Sequence, residues 1–166
     1  SLTVNPAMPI SVMATAGKLR HHSLFDAATV TIEFEDGTMA WHHVGWLSAE
    51  RVRKYFAGCE NGAMEFDDTI TEGKLKLFGA GIDTRLDGGN SSATNLAYSA
   101  GEIILPQLDE TSPLEVELQQ FIVAIKGGPP PVADGNQGLL TVRILAAADD
   151  SASNNGKSVS LLNHEI

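Results

Sequence analysis

Four of the five histidines form two adjacent pairs, His21-His22 and His42-His43, and Asp26 follows the first pair. Imidazole and carboxylate groups are suitable ligands for zinc or non-haem iron. His42 and His43 belong to a predicted strand, where successive side chains point to opposite faces, so both cannot bind one ion. His21 and His22 lie in a predicted loop and are expected to be exposed. We therefore expect no metal site in this chain.

Other residues with chemical potential lack the neighbours that their chemistry requires. Ser91 and Ser92 do not follow a strand-to-helix elbow, and Cys59 has no activating partner that the sequence reveals. The segment Gly79-Ala80-Gly81 lacks the third glycine of a dinucleotide fingerprint and lies in a predicted loop rather than at the start of a βαβ unit. We therefore expect neither a catalytic residue nor a cofactor-binding site in this chain.

The composition limits the classes of function. With 166 residues, of which 43% are hydrophobic and 19% charged, the chain has a globular composition and is expected to form a single domain, 1–166. A formal net charge of −10 argues against nucleic-acid or anionic-membrane partners, because binding to phosphate requires a positive field. The single cysteine excludes an intramolecular disulfide. Together with the lack of a signal-peptide pattern or a membrane-spanning apolar run, it favours a cytoplasmic location.

The first two-thirds of the chain reads as strands. Residues 27–35 alternate apolar and polar side chains, which predicts a half-buried strand. Asp36-Gly37 then predicts a two-residue hairpin turn, and this register pairs Ile32 with Trp41. It places Trp41 on the apolar face of the strand pair. Alternation leaves open whether the helices or a second subunit cover that face.

A second hairpin is predicted at Asn61-Gly62, with Cys59 opposite Met64. Further strands are expected at residues 9–16, 74–78 and 101–107. Residues 79–96 are rich in glycine, serine and asparagine and predict a long irregular loop, either functional or mobile.

Two helices and a closing strand follow. Ser112, Pro113 and Glu115 form a capping-box pattern at the start of the first helix. The second helix is expected to begin at Asp134, to carry Leu140, Ile144, Ala147 and Ala148 on one face, and to stop before Gly156. The apolar face of the first helix comprises Leu114, Leu118, Phe121, Ile122 and Ile125. The predicted fold class is therefore α+β, with a single largely antiparallel sheet and the helices packed on one face.

The order of these segments resembles the C-terminal domain of the Gfo/Idh/MocA family of NAD(P)-dependent oxidoreductases. The resemblance rests on the Asp-Gly hairpin, GWLSAERVRKYFAGCENGAMEF, the capped helix, GGPPPVADGNQGLLTVRILAAADDSA and NGKSVSL, in that order. It covers roughly residues 8–163, and it depends on the order of the motifs, since each motif alone is degenerate.

The resemblance implies that two domains share the function of the full-length protein. Family members act mostly on sugars and cyclitols, and their N-terminal Rossmann domain, absent from this chain, would bind NAD or NADP and supply the catalytic lysine. The present chain would be inactive alone, and the absence of an initiator methionine favours an excised domain. The resemblance also implies a homo-oligomer formed through the open face of the sheet. The alternative is a stand-alone, non-catalytic ligand-binding or oligomerisation module of the same fold.

The resemblance further implies a substrate-binding segment at Trp46, Ser48, Glu50 and Arg51, although the tyrosines common in the family are absent here. Trp46 would stack on a sugar ring, and Arg51 would bind a carboxylate. The alternative is that Trp46 packs on the sheet and Arg51 is solvated.

Overall fold

The structure is a computed structural model that describes residues 5–20, 22–79, 82–83, 97–98, 101–109 and 111–162. The strands in this part of the chain are β1 Pro9–Gly17, β2 Ala27–Phe34, β3 Met39–Gly45, β4 Lys54–Cys59, β5 Gly62–Asp67, β6 Leu75–Phe78, β7 Ile82–Asp83, β8 Ala97–Tyr98, β9 Ile103–Ile104 and β10 Val159–Ser160. The helices are α1 Pro113–Ile125 and α2 Gly135–Ser153. The chain divides into two compact units, one formed by Ser1–Leu47 with Thr111–Ile166 and the other by Ser48–Glu110.

The first unit contains a four-stranded antiparallel sheet with the order β10-β1-β2-β3. The closing strand predicted at the end of the chain is present as β10, which pairs with β1. Helix α2 covers one face of this sheet. The side chains of β1 and β2 that point toward this face are the more buried ones, and they alternate with exposed or half-buried side chains on the other face. The core of this unit comprises Val12, Ala14, Ile32, Phe34, Ile144, Ala147, Ala148 and Leu161.

Helix α2 has the start predicted from its sequence. Asp134 is the N-cap, and its carboxylate accepts a hydrogen bond of 2.9 Å from the backbone N–H of Gln137. The buried positions of the helix include Ala147 and Ala148, whose small side chains allow the helix axis to approach the sheet closely. The predicted packing face of α2 is therefore confirmed.

Ser151 joins α2 to the sheet and is fully buried. Its Oγ accepts a hydrogen bond of 2.8 Å from the backbone N–H of Ala14 in β1. The same hydroxyl donates to the carbonyl oxygen of Lys157, at 2.6 Å, in the segment that leads to β10. One side chain thus satisfies buried backbone groups from two other segments, as buried polar groups require.

Helix α1 begins at the predicted residue, but the capping box is not formed. Ser112 makes no side-chain capping bond, and the carboxylate of Glu115 accepts instead from the side-chain amide of Gln119, at 3.1 Å. None of the residues of α1 is buried. The predicted two-helix cover of the sheet therefore reduces to α2 in this structure.

The β2–β3 hairpin differs from the prediction by one residue. The loop has three residues, 35–37, with Gly37 in the left-handed region at φ +81°, and the N–H of Phe34 donates to the carbonyl of Thr38 at 2.9 Å. Thr31, rather than Ile32, is therefore opposite Trp41. A slip of one residue moves every side chain of β3 to the other face, so the prediction that Trp41 lies on the apolar face is wrong.

The second unit contains another four-stranded antiparallel sheet, with the order β4-β5-β6-β9. Cys59 pairs with Gly62 and not with Met64, so the turn lies at Glu60-Asn61 and the predicted register is wrong by two residues. Gly62 lies inside the strand pair, where a Cβ atom would come 2.5 Å from the carbonyl oxygen of Phe78 on β6. The glycine is therefore required for close approach of two strands.

The α+β class and the antiparallel pairing are confirmed, whereas the expectation of a single sheet is wrong. Residues 46–53 contain no strand and separate β3 from β4, so the second hairpin starts a new sheet. The predicted irregular loop 79–96 contains β7, which pairs with β8 directly after the loop. The rest of that loop, apart from Gly79, lies outside the described residues.

We predict that S151A lowers the free energy of unfolding of the first unit by about 1–3 kcal/mol, because it removes the partner of the buried N–H of Ala14 and of the carbonyl of Lys157. The measurement is a urea titration followed by circular dichroism at 222 nm, since both helices belong to this unit. The matched control is S153A, at an exposed position in the last turn of the same helix. Equal effects of the two substitutions would contradict the role assigned to the Ser151 hydroxyl.

We predict that the stability of the second unit decreases as the pH falls from about 4 to about 2. The hydroxyl and backbone N–H of Thr69 donate to the carboxylate of Asp67, and Lys54 Nζ lies 3.0 Å from it, so the pKa of Asp67 falls from 3.8 to about 2. A carboxylate whose pKa is lower in the folded than in the unfolded chain stabilises the fold at pH values above its unfolded pKa. This contribution is lost as the pH falls through the folded pKa and the group is protonated.

The measurement is the midpoint of urea unfolding at several pH values, followed by the NMR signals of the neighbouring rings of Tyr55 and Phe66. D67N should flatten the pH dependence between 2 and 4. E72Q, which removes an exposed carboxylate from the same unit, should retain it. A similar pH profile for D67N and the parent chain would contradict the assignment.

Candidate functional site

The face of the first sheet opposite α2 carries a row of paired side chains that we call the open sheet face. The pairing of β1, β2 and β3 aligns three sets of residues across it, namely Ser11, Glu33 and Met39; Met13, Thr31 and Trp41; and Thr15, Thr29 and His43. Trp41, near the centre, is 69% exposed, and Met13 and Met39 are also exposed. The register predicted from sequence placed Trp41 on the other face and so missed this cluster.

Polar pairs flank the apolar centre of the open sheet face. Ser11 Oγ donates to a carboxylate oxygen of Glu33 at 3.1 Å, and Thr29 Oγ1 lies 3.3 Å from His43 Nδ1. An apolar centre with an aromatic residue and methionines, surrounded by polar side chains, is the composition of a protein–protein interface.

The two adjacent histidines of β3 point to opposite faces, as predicted. His43 is exposed on the open sheet face, whereas His42 lies opposite Val30 on the side covered by α2. Burial lowers the pKa of His42, and its Nε2 atom has no hydrogen-bond partner among the described residues. No three potential metal ligands lie together in the described part of the chain, and His21 is outside it.

A shallow pocket of about 400 Å³ lies at the edge of the first sheet where β2 begins and β3 ends. It is lined by Phe25, Asp26, Ala27, Ala28, Val44, Gly45 and Trp46. The backbone N–H of Trp46 donates to the carbonyl of Asp26 at 3.0 Å, and the N–H of Asp26 donates to the carbonyl of Gly17 at 2.8 Å. These bonds hold the ends of three strands together and fix the wall of the pocket.

Trp46 is the predicted substrate-binding residue that lines this pocket. Its side chain is 88% exposed, so it does not pack on the sheet and presents a flat apolar surface. The carboxylate of Asp26, which is buried beside it, accepts a hydrogen bond of 2.6 Å from the backbone N–H of Arg20. Asp26 therefore has a structural role in ordering the loop between β1 and β2. The rest of the lining is apolar or glycine, so the pocket offers an exposed aromatic ring beside a mainly apolar surface.

The other three predicted substrate-binding residues, Ser48, Glu50 and Arg51, belong to the second unit, whereas Trp46 belongs to the first. Ser48 Oγ donates to the carbonyl of Glu50 at 2.7 Å and accepts from its N–H at 3.3 Å, so the hydroxyl stabilises a local turn. Arg51 is exposed and forms no ion pair with any described residue.

The described residues do not fit a dinucleotide. Every strand pair in the described ranges is antiparallel, whereas a dinucleotide fold requires a parallel βαβ unit that opens on a glycine-rich turn. The backbone N–H of Gly79 donates to the carbonyl of Glu102 at 3.0 Å and so is not free to bind a phosphate. Ala80 and Gly81 lie outside the described residues.

No protein-family model matches the sequence, and no curated protein sequence is similar enough to count as a match. Solved structures do match. UDP-N-acetylglucosamine 3-dehydrogenase from Acidithiobacillus ferrooxidans has a TM-score of 0.67 at 20% identity, over 92% of this chain and 44% of its own. The chain has the fold of Gfo/Idh/MocA-type oxidoreductases.

Two further structures support this assignment of the fold. An NAD-binding protein from Listeria innocua has a TM-score of 0.68 at 14% identity, over 96% of this chain and 47% of its own. The WlbA dehydrogenase from Bordetella pertussis, solved in complex with NADH and UDP-GlcNAcA, has a TM-score of 0.57 at 17% identity, over 92% of this chain and 40% of its own. The chain therefore spans less than half the length of the solved structures that it matches.

Among the helices in the described ranges, none combines the length and the apolar character that are needed to cross a lipid bilayer.

Proposed function

We propose that this chain is the C-terminal domain of an NAD(P)-dependent dehydrogenase of sugars or related polyols, and that it forms the wall of the substrate site and the contact between subunits. The observation that carries the proposal is the coverage of the structural matches, which is nearly complete for this chain but 40–47% for three sugar-nucleotide or NAD-binding proteins. An N-terminal Rossmann domain would complete the enzyme. This chain would be inactive alone.

In this proposal the cofactor, NAD or NADP, binds to the other domain. The antiparallel topology of the described residues supports this division, because it offers no turn for a pyrophosphate. Hydride transfer would take place between that domain and a substrate held against this chain. The contribution of this chain is then positioning, through groups that bind the substrate and do not react with it.

The wall of the substrate site would include Trp46 and the sheet-edge pocket beneath it. The exposed indole provides a flat surface for the C–H groups of a sugar ring, and exposed Arg51 and Glu50 would bind polar or charged substituents. Two of the matched structures are a UDP-N-acetylglucosamine dehydrogenase and a dehydrogenase in complex with UDP-GlcNAcA, which favours a nucleotide sugar. Ser48 would order the segment through its bonds to Glu50.

Subunits would meet through the open sheet face. The exposed Met13, Met39 and Trp41 would lose contact with water on association, and the polar pairs around them would form the rim. A cytoplasmic location is part of the proposal, supported by the single free cysteine, which rules out an intramolecular disulfide.

A stand-alone, non-catalytic ligand-binding or oligomerisation module is the second candidate. It is favoured by the fact that the pocket beneath Trp46 and the open sheet face both lie within the first unit. The two candidates differ in what stabilises the isolated chain. A module would be stabilised by a sugar in a thermal-shift assay without any other domain, whereas the wall of a larger active site would gain little.

We predict that the full-length protein is stabilised by NADH and oxidises a sugar or a nucleotide sugar, whereas the 166-residue chain is not stabilised by NADH. In the full-length protein, W46A should raise KM for the sugar by about tenfold and leave KM for the cofactor unchanged, because the lost stacking is worth about 1.4 kcal/mol. Steady-state kinetics with both substrates varied provides the measurement.

W46F, which retains an aromatic surface, is the matched control and should stay within about threefold of the parent KM. NADH stabilisation of the 166-residue chain would contradict both candidate functions. An unchanged KM for the sugar in W46A would remove Trp46 from the substrate site.

We predict that W41E yields a folded monomer. Trp41 is exposed in the subunit, so a charge at this position does not disturb the core, but it would lie at the centre of the proposed interface. Light scattering gives the mass, and circular dichroism shows whether the chain is folded. T38E adds the same charge at an exposed position in the β2–β3 loop and should leave the mass unchanged. A W41E chain with the mass of the parent oligomer would exclude the open sheet face as the interface.

A further inference from the structure

Helix α1 carries a continuous apolar surface that the described chain leaves uncovered. We call it the α1 apolar face, and it consists of Leu114, Leu118, Phe121, Ile122 and Ile125. These positions follow the spacing of one helical face. Their side chains are between 49% and 70% exposed. A soluble protein rarely leaves so many adjacent large apolar side chains in water unless another surface covers them.

Neither α1 itself nor the segment that follows it buries the α1 apolar face. The helix has 13 residues and none of them is buried, and isolated helices of this length are marginal in water. The segment after the helix is joined to it by hydrogen bonds from the N–H of Gly128 to the carbonyl oxygen of Val123, at 3.0 Å, and from the N–H of Val132 to the side-chain oxygen of Gln120, at 3.1 Å. Leu118 and Phe121 line an open pocket together with Pro131, Val132 and Ala133, so this segment reaches one edge of the α1 apolar face without burying it.

The extent of the apolar surface favours a large partner over a second copy of this helix. Val116 and Val123, on the opposite side of α1 from the α1 apolar face, are also exposed, at 38% and 46%. A symmetric contact between two copies of α1 would cover one side of each helix only. A helix that is apolar on opposite sides is normally buried on both, which requires a surface that wraps around it.

The comparisons indicate where such a surface would come from. The structural matches include 92–96% of this chain, yet the matched region is only 40–47% of the three solved chains. More than half of each of those chains therefore lies outside the fold described for this chain. An additional domain of that size is large enough to cover α1 on more than one side.

We propose that the α1 apolar face is the docking surface for the domain that forms the rest of the full-length protein. This inference rests on the proposed function, according to which such a domain exists. Glu115 and Glu117 lie at the edges of the face near its N-terminal end, so the docking surface of the other domain should be apolar with basic residues on its rim. Helix α1 is then part of the interface between the two domains and does not cover the sheet.

The test uses the full-length protein with a protease site placed before residue 1. After cleavage, the two parts of the parent protein should remain together in size-exclusion chromatography. With L118E or F121E they should separate. Q119E is the matched control, because it adds the same charge to α1 outside the α1 apolar face, and its two parts should remain together. Circular dichroism of the released 166-residue chain shows that the variants are folded, which is expected because neither side chain is buried.

The outcomes separate the inference from the function on which it rests. Separation of the parts in the parent protein, or co-elution of the parts in L118E and F121E, would overturn the inference and leave the proposed function standing. A lower oligomeric mass of the isolated 166-residue chain on F121E substitution would also overturn it, since a second copy would then occupy the face. A reading frame that encodes no further domain would overturn both.

Discussion

The contact between α2 and β1 determines which face of the first sheet is buried and where β10 lies. Small side chains at Ala147 and Ala148 allow the helix to lie close to the sheet, and the buried hydroxyl of Ser151 bonds to both β1 and the segment before β10. A larger side chain at these helix positions would move the axis away and break those bonds. This contact therefore closes one face of the sheet and fixes the closing strand at the same time.

Because α2 covers one face of the sheet, the other face remains exposed and can bind a partner. The side chains of a strand alternate, so every residue that α2 buries has neighbours that point to the opposite side. The same alternation that places Val12 and Ile32 in the core places Met13 and Trp41 in the open. An open sheet face with exposed apolar side chains among polar ones is consistent with a subunit interface, and it results directly from the composition of strands whose two faces are both partly apolar.

The sequence was sufficient for features that depend on neighbouring residues. The alternation in residues 27–35 predicted β2, and Asp134 predicted the start of α2, because strand periodicity and helix capping are local. The hairpin register was wrong because Asp36-Gly37 is compatible with both a two-residue and a three-residue loop. The observed register places Ala40 against the core and leaves Trp41 exposed on the other face. That constraint is tertiary and cannot be read from the turn.

The candidate site shows the same limit. Trp46 was identified by the resemblance, but its pocket is also lined by Phe25 and Val44, which only the pairing of β2 with β3 brings together. The α1 apolar face was visible in the sequence as the expected cover of the sheet, and helical periodicity could not reveal that α2 alone fills that role. An amphipathic pattern specifies that a face will be buried, not what will bury it. Within the described residues the α1 apolar face has no cover, and this supports the proposal that a further domain docks there.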